Sequence, residues 1–210
     1  MPTRVKVCGI TRPEDALLAV RLGASAVGFN FYSASPRYIA PEVARTIIRQ
    51  LPPFVMAVGV FANEAEMTHI VEIARDAGVS AVQLHGPRFP GSIGQADGLP
   101  VIRAVAVADG FKAEMLAGFE ARAFLLDAYH PNLSGGTGRS FNWDLVRDAG
   151  RYGTIILAGG LKPENVGHAI RLVRPFAVDV ASGVESAPGQ KDPELLRAFF
   201  AAVEEADRNL

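Results

Sequence analysis

The sequence predicts an α/β chain folded as a single-domain (β/α)8 barrel, and three observations predict it. At 210 residues the chain fits one compact domain better than two. Eight short apolar runs alternate with amphipathic segments from one end to the other. The first run ends Cys8-Gly9-Ile10-Thr11 without a GxGxxG loop, which sets the pattern apart from an open, doubly wound sheet. Together these read as a TIM barrel, with residues 1–210 forming one catalytic domain and no linker or low-complexity stretch inside it.

Each element has its own justification. The apolar runs are Val5–Ile10, Ala26–Phe31, Phe54–Phe61, Ala81–His85, Val101–Val107, Ala123–Asp127, Thr154–Ala158 and Ala177–Ala181. They are near-continuously hydrophobic, as parallel strands covered on both faces must be. Between them, Pro13–Leu22 opens Pro-Glu-Asp and stops at Gly23, and Pro41–Leu51 opens Pro-Glu and stops at two prolines. Asn63–Ala77 has Asn63 as its N-cap and Gly78 as its stop. Proline in the first turn, acids beside it and glycine past the end are helix punctuation. Helices are also expected at Phe111–Gly118, Trp143–Ala149, Pro163–Val173 and Pro193–Ala206, with the weakest at Phe89–Asp97, which contains Pro90, Gly91 and Gly94.

Composition bounds the function. Apolar residues make up 49% and charged residues 20%, so there is material for a core, and the net charge of -1 argues against a sequence-independent nucleic-acid binder. One cysteine, Cys8, excludes an internal disulfide, and with four scattered histidines it argues against structural zinc. The N-terminus has no signal-peptide pattern, and no apolar stretch approaches the ~20 residues of a membrane span. A cytoplasmic protein without membrane partners is expected. Monomer and homodimer are both compatible with the sequence.

Active sites of such barrels lie at the C-terminal ends of the strands. The polar residues there are Cys8, then Ser35-Pro36-Arg37, Gln83 with His85, Arg103, Asp127, Gly159-Gly160, and Asp179 followed by Ser182-Gly183. A lone glycine pair usually makes a turn and nothing more. Gly159, Gly160, Ser182 and Gly183 occupy the two loops, after strands seven and eight, that bind phosphate in many barrels. Cys8 would be inert if merely packed, but it stands at a strand end beside Gly9. Asp127 ends an apolar run, where an unpaired carboxylate is costly, and it is equally a cap or an acid–base group. Arg37 in a stiff loop suits a carboxylate. Gln83 and His85 are two apart and face the same side of their strand. His69, His130 and His168 read as bystanders, and Trp143 as packing.

The chain resembles phosphoribosylanthranilate isomerase, a tryptophan-pathway family, over essentially its whole length. The resemblance is carried by Lys6-Val7-Cys8-Gly9-Ile10, Gly28-Phe29-Asn30-Phe31, Ser35-Pro36-Arg37-Tyr38, Val58-Gly59-Val60-Phe61 and Val82-Gln83-Leu84-His85-Gly86. It continues through Asp127, Gly135-Gly136-Thr137-Gly138, Leu157-Ala158-Gly159-Gly160-Leu161, Val178-Asp179-Val180, Ser182-Gly183-Val184-Glu185 and Lys191-Asp192. One departure is Phe141-Asn142-Trp143 where the family has Phe-Asp-Trp; asparagine caps a helix about as well as aspartate.

The resemblance implies an Amadori rearrangement of N-(5-phosphoribosyl)anthranilate to 1-(2-carboxyphenylamino)-1-deoxyribulose 5-phosphate. It implies Asp127 as the acid that opens the ribose ring and Cys8 as the base that takes the C2 proton, with no metal or redox cofactor. Arg37 would hold the anthranilate carboxylate. Asp179, His85 and Gln83 would contact the sugar or orient the catalytic groups. The rivals are a histidine-pathway or dual-substrate phosphoribosyl isomerase, whose barrels typically place aspartate where Cys8 stands, and a non-catalytic phosphate-binding barrel.

Overall fold

The computed structural model describes residues 1–62, 66–86, 89, 94–128 and 141–210. Eight parallel strands follow one another around a closed barrel: β1 (Arg4–Cys8), β2 (Ala26–Asn30), β3 (Met56–Ala62), β4 (Ala81–His85), β5 (Leu99–Val107), β6 (Ala123–Ala128), β7 (Ile155–Leu157) and β8 (Ala177–Val180). Closure is made by β1, which pairs with β2 (Cys8 opposite Gly28) and with β8 (Lys6 opposite Asp179). All eight strands stand where the apolar runs do, with ends shifted by a few residues at most.

Alternation along the strands divides the core in two. Small and medium side chains, among them Val58, Ala81, Ile102, Ala104, Leu125 and Ile156, fill the barrel interior. The opposite strand faces join the helices in a larger shell that includes Val7, Phe29, Leu84, Leu126, Ile170 and Phe199. Interior positions therefore also include Lys6, Cys8, Gln83, His85, Asp127 and Asp179, each an even number of residues from an interior neighbour or partner.

Five α-helices back the barrel: α1 (Pro13–Arg21), α2 (Pro41–Ile48), α3 (Met67–Ala77), α4 (Pro163–Val173) and α5 (Pro193–Arg208). Four start on proline, and α3 ends on Gly78 at φ +77, the left-handed turn that glycine adopts without strain. Asn63 lies outside the described residues, and α3 begins after Glu66. None of the described helices is long and apolar enough to cross a membrane.

Three expected helices are not α-helical. Ala113–Gly118 is a 3-10 helix, and the stretch after Trp143 is two 3-10 turns, Trp143–Val146 and Ala149–Arg151. Gly110 and Gly118 bracket the first of these short stretches, and Gly150 and Gly153 follow the expected end of the second. In Phe89–Asp97 the described part contains a two-residue strand, Gln95–Ala96, folded back on Leu99–Pro100. The Asn142 side chain accepts a hydrogen bond from the Asp144 amide at 3.1 Å, so the departure from the family sequence keeps a working cap.

Candidate active site

The C-terminal ends of the strands surround a cavity of about 110 Å³. Cys8 comes to it from β1, Gln83 and His85 from β4, Asp127 from β6 and Asp179 from β8, and Arg37 overhangs it from the loop after β2. Six residues separated by up to 171 positions in sequence are thus brought to one mouth. A more open hollow, lined by Gly98, Phe119 and Arg122, lies at the other end of β5 and β6 and holds none of these groups.

Asp127 sits at the end of β6, and its Oδ1 accepts a hydrogen bond from the Ala128 amide at 2.8 Å. Burial and the nearby Asp179 carboxylate raise its pKa to about 6, against the smaller pull of that amide and of Lys6. A carboxyl so placed keeps its proton far more readily than an ordinary aspartic acid. Across the mouth, burial pushes the Cys8 thiol up, and Asp179 adds to the push while Lys6 and Lys191 oppose it. Burial also lowers the pKa of His85, so its imidazole is held neutral.

Asp179 is already engaged. Its Oδ1 accepts from the Lys6 ammonium at 2.8 Å, and both side chains are buried. Arg37 is engaged as well. Its Nε lies 3.0 Å from Glu185 Oε1 and its Nη2 lies 2.7 Å from Glu185 Oε2, a two-pronged pair. Glu185 in turn bonds the fully buried Lys191 ammonium at 2.8 Å, and Lys191 caps the Cys8 carbonyl at 2.6 Å and the Ala181 carbonyl at 3.1 Å. The loop under Arg37 is fixed by Asn30, whose Nδ2 donates to Ser35 Oγ at 3.1 Å; that oxygen accepts the Arg37 amide at 3.1 Å. Gly9, at φ +76, leaves room for the Arg37 side chain: a Cβ there would stand 2.6 Å from Arg37 Cδ. Gln83 is buried, and its Oε1 has no partner among the described residues.

The glycines of the expected phosphate loops lie next to each other. A Cβ on Gly183 would fall 1.9 Å from the Leu161 carbonyl oxygen, so the loop after β8 packs backbone to backbone on the loop after β7. Gly159 and Gly160 turn at φ +82 and +64. The Gly160 carbonyl accepts from Asn165 Nδ2 at 2.9 Å, and Asn165 Oδ1 accepts the Lys162 amide at 2.8 Å, tying the loop to the first turn of α4. Neither glycine pair lines the cavity that holds Cys8 and Asp127. The glycines 135, 136 and 138 and His130 lie outside the described residues.

Arg103 needs correcting. It does not face the mouth: it alternates with the interior residues Ile102 and Ala104, its Nη2 donates to the Phe89 carbonyl at 2.6 Å, and its guanidinium lies over the Phe119 ring. Lys6, Asn30, Glu185 and Lys191 were not singled out as site residues. Lys6 was findable, because it lies two residues before Cys8 and so shares its face of β1. Glu185 carried no such signal, being 148 residues from Arg37.

A closed (β/α)8 barrel with an elevated aspartic acid facing a thiol across the strand ends is the architecture of an acid–base enzyme. Residues 5–202 match the family model described as N-(5'phosphoribosyl)anthranilate (PRA) isomerase, and the chain belongs to that family of isomerases. It is 50% identical over 204 residues to the N-(5'-phosphoribosyl)anthranilate isomerase of Trichlorobacter lovleyi, covering 97% of this chain and 98% of the relative. The phosphoribosyl anthranilate isomerase of Thermus thermophilus superposes with a TM-score of 0.87 at 41% identity, over 97% of this chain and 99% of that one. A phosphoribosyl anthranilate isomerase structure in complex with reduced 1-(o-carboxyphenylamino)-1-deoxyribulose 5-phosphate superposes at 0.81 and 41% identity, over 97% and 99%.

Proposed function

We propose that Cys8 and Asp127 are the base and the acid with which this isomerase converts N-(5'-phosphoribosyl)anthranilate to 1-(2-carboxyphenylamino)-1-deoxyribulose 5-phosphate in tryptophan biosynthesis. Asp127 gives a proton to the ribose ring oxygen as the C1–O bond breaks, and the anilino nitrogen supplies the electrons that form the Schiff base. The iminium acidifies the C2 proton, which Cys8 takes as thiolate. The resulting enolamine becomes the aminoketose when C1 gains a proton and the C2 hydroxyl loses one. No atom is gained or lost, so proton transfer is the whole of the chemistry asked of the protein.

The remaining roles follow from charge. Arg37 meets the anthranilate carboxylate with the part of its guanidinium that Glu185 does not occupy. The paired loops at Gly159-Gly160 and Ser182-Gly183 hold the phosphate, where backbone amides and the start of α4 favour an anion. Gln83 offers an acceptor, and the neutral His85 a donor or acceptor, to the sugar hydroxyls. Asp179 acts through Lys6, its bonded partner.

The observation that carries this reading is the pairing in one cavity of a carboxyl whose pKa is raised to about 6 and the only thiol in the chain. Cys8→Ala and Asp127→Asn should each cut kcat by about 10²–10⁴ with KM nearly unchanged. Alkylation of Cys8 should inactivate, and substrate should protect. A Cys8→Ala enzyme with near-native turnover would remove the thiol from the mechanism and leave the family assignment intact.

A further inference from the structure

The mouth contains a cation that the roles above leave without direct work. Lys6 lies inside the barrel on β1, two residues below Cys8, and its ammonium is buried against Asp179 at 2.8 Å. The pairing register explains the contact, since Lys6 is directly opposite Asp179 on β8. On the other side of β1, Cys8 is opposite Gly28. A Cβ on Gly28 would stand 2.8 Å from Cys8 Sγ and 3.1 Å from Lys6 Nζ. The missing side chain is therefore the notch that lets the thiol and the ammonium share one space.

We propose that Lys6 is the positioning residue of the base: held by Asp179 and seated in the notch at Gly28, its ammonium stabilises the Cys8 thiolate that takes the C2 proton. The reasoning rests on Cys8 being that base. Burial alone makes a thiolate costly, and a neighbouring cation that can donate a hydrogen bond is the remedy. Lys6 favours the Cys8 thiolate through its charge, at the close range that the Gly28 notch allows. Burial works against the charge of Lys6 itself, but Asp179 and Cys8 outweigh it, so the lysine stays an ammonium. Among the described residues, the other charges facing Cys8 are Asp179, which opposes the thiolate, and Lys191, which favours it from beneath the Cys8 carbonyl. Asp127 and the neutral His85 line the same cavity. Asp179 thus has two effects: it disfavours the thiolate directly and fixes the cation that favours it.

The test uses the fact that Cys8 is the only cysteine. The pH dependence of iodoacetamide alkylation reads the thiolate directly, independently of turnover. Lys6→Met should slow alkylation at neutral pH about tenfold or more and move its midpoint up, with kcat falling and KM held. Gly28→Ala removes no charge, yet by crowding Sγ and Nζ apart it should move the midpoint the same way. Asp179→Asn should move it down. If Lys6→Met and Gly28→Ala both fold and alkylate at the native rate and midpoint, the proposal is overturned. If the midpoints move as stated while Cys8→Ala retains full turnover, Lys6 still governs the thiol, and the assignment of Cys8 as the base fails instead.

Discussion

Among the described residues, the β1 side of the barrel mouth is crowded with charge, and the β6 side is almost bare of it. Cys8 shares its surroundings with Lys6, Asp179 and Lys191, and the chain of ion pairs runs on through Glu185 to Arg37. Among the described residues, Asp127 is bonded to one backbone amide, that of Ala128. Burial has opposite value on the two sides. It disfavours charge in both groups, and an acid needs to stay neutral whereas a base needs to ionise. Burial therefore works for the acid, and the Asp179 carboxylate works the same way. The base must be made against burial, and that is where the cations are.

The pH profile sharpens this comparison most. With Asp127 near 6 and Cys8 above the ordinary thiol value of about 8.5, the working form, thiolate with protonated carboxyl, is the minor one. Between the two values, each step up in pH raises the thiolate fraction tenfold and lowers the protonated-acid fraction tenfold, so their product is constant. The expected kcat/KM profile is a broad plateau. It should fall about tenfold per pH unit below about 6, where the thiolate keeps draining and the acid is already saturated. It should fall again only above the Cys8 value. Asp127→Glu or any retained acid should move the lower edge, and Lys6→Met the upper one. A narrow peak at neutral pH would mean that the two values lie close together in the free enzyme, against the separation drawn here.

Arg37 comes next. Arg37→Ala should raise KM by about one to two decades, since a charge-assisted pair with a carboxylate is worth roughly 1.5–3 kcal/mol. Arg37→Lys should recover little, because a lysine cannot pair with Glu185 along one edge of its head and with a ligand along another. Native KM in the alanine variant would confine Arg37 to holding Glu185.

How much of this was legible depends on the range over which each signal acts. The strands were readable because continuous apolar runs are local, and α4 was read to the residue because proline opens it and its apolar positions repeat. The three expected helices that became 3-10 turns or a short strand are short segments flanked or broken by glycine, where apolar spacing alone does not choose between helix types. The mouth residues were legible from strand ends, and Gln83 and His85 from their spacing of two. Arg103 was misplaced because being on a strand does not fix the face: Ile102 and Ala104 point into the barrel, so Arg103 between them points out. The pairing of Arg37 with Glu185, and of Lys6 with Asp179 across 173 positions, follows from barrel closure, which no local pattern encodes.

The smallest effect expected tests the bare side on its own. Asp127 has its pKa raised from the ordinary value of about 3.9 to about 6 on folding. A raised value means that the folded state binds the proton more tightly than the unfolded one. The stability from that difference is fully present below the unfolded value and is lost as pH rises through about 6. At pH 7–8 the native protein therefore carries an ionised carboxylate that its surroundings disfavour. Asp127→Asn, which keeps the shape and removes the charge, should be inactive and yet more stable than the native enzyme at pH 8. Asp127 is partly open to the cavity, so the gain expected is on the order of 1–2 kcal/mol, less than the full elevation would give. For a chain of this size that is a rise in melting temperature of about 2–8 °C. The gap should close as the pH falls towards 4, where the native aspartic acid is itself neutral. Melting curves of both proteins between pH 4 and 8 decide the matter. A variant less stable at pH 8, or a gap that widens on acidification, would mean that Asp127 is held as a carboxylate and that the acid of this site has to be sought elsewhere.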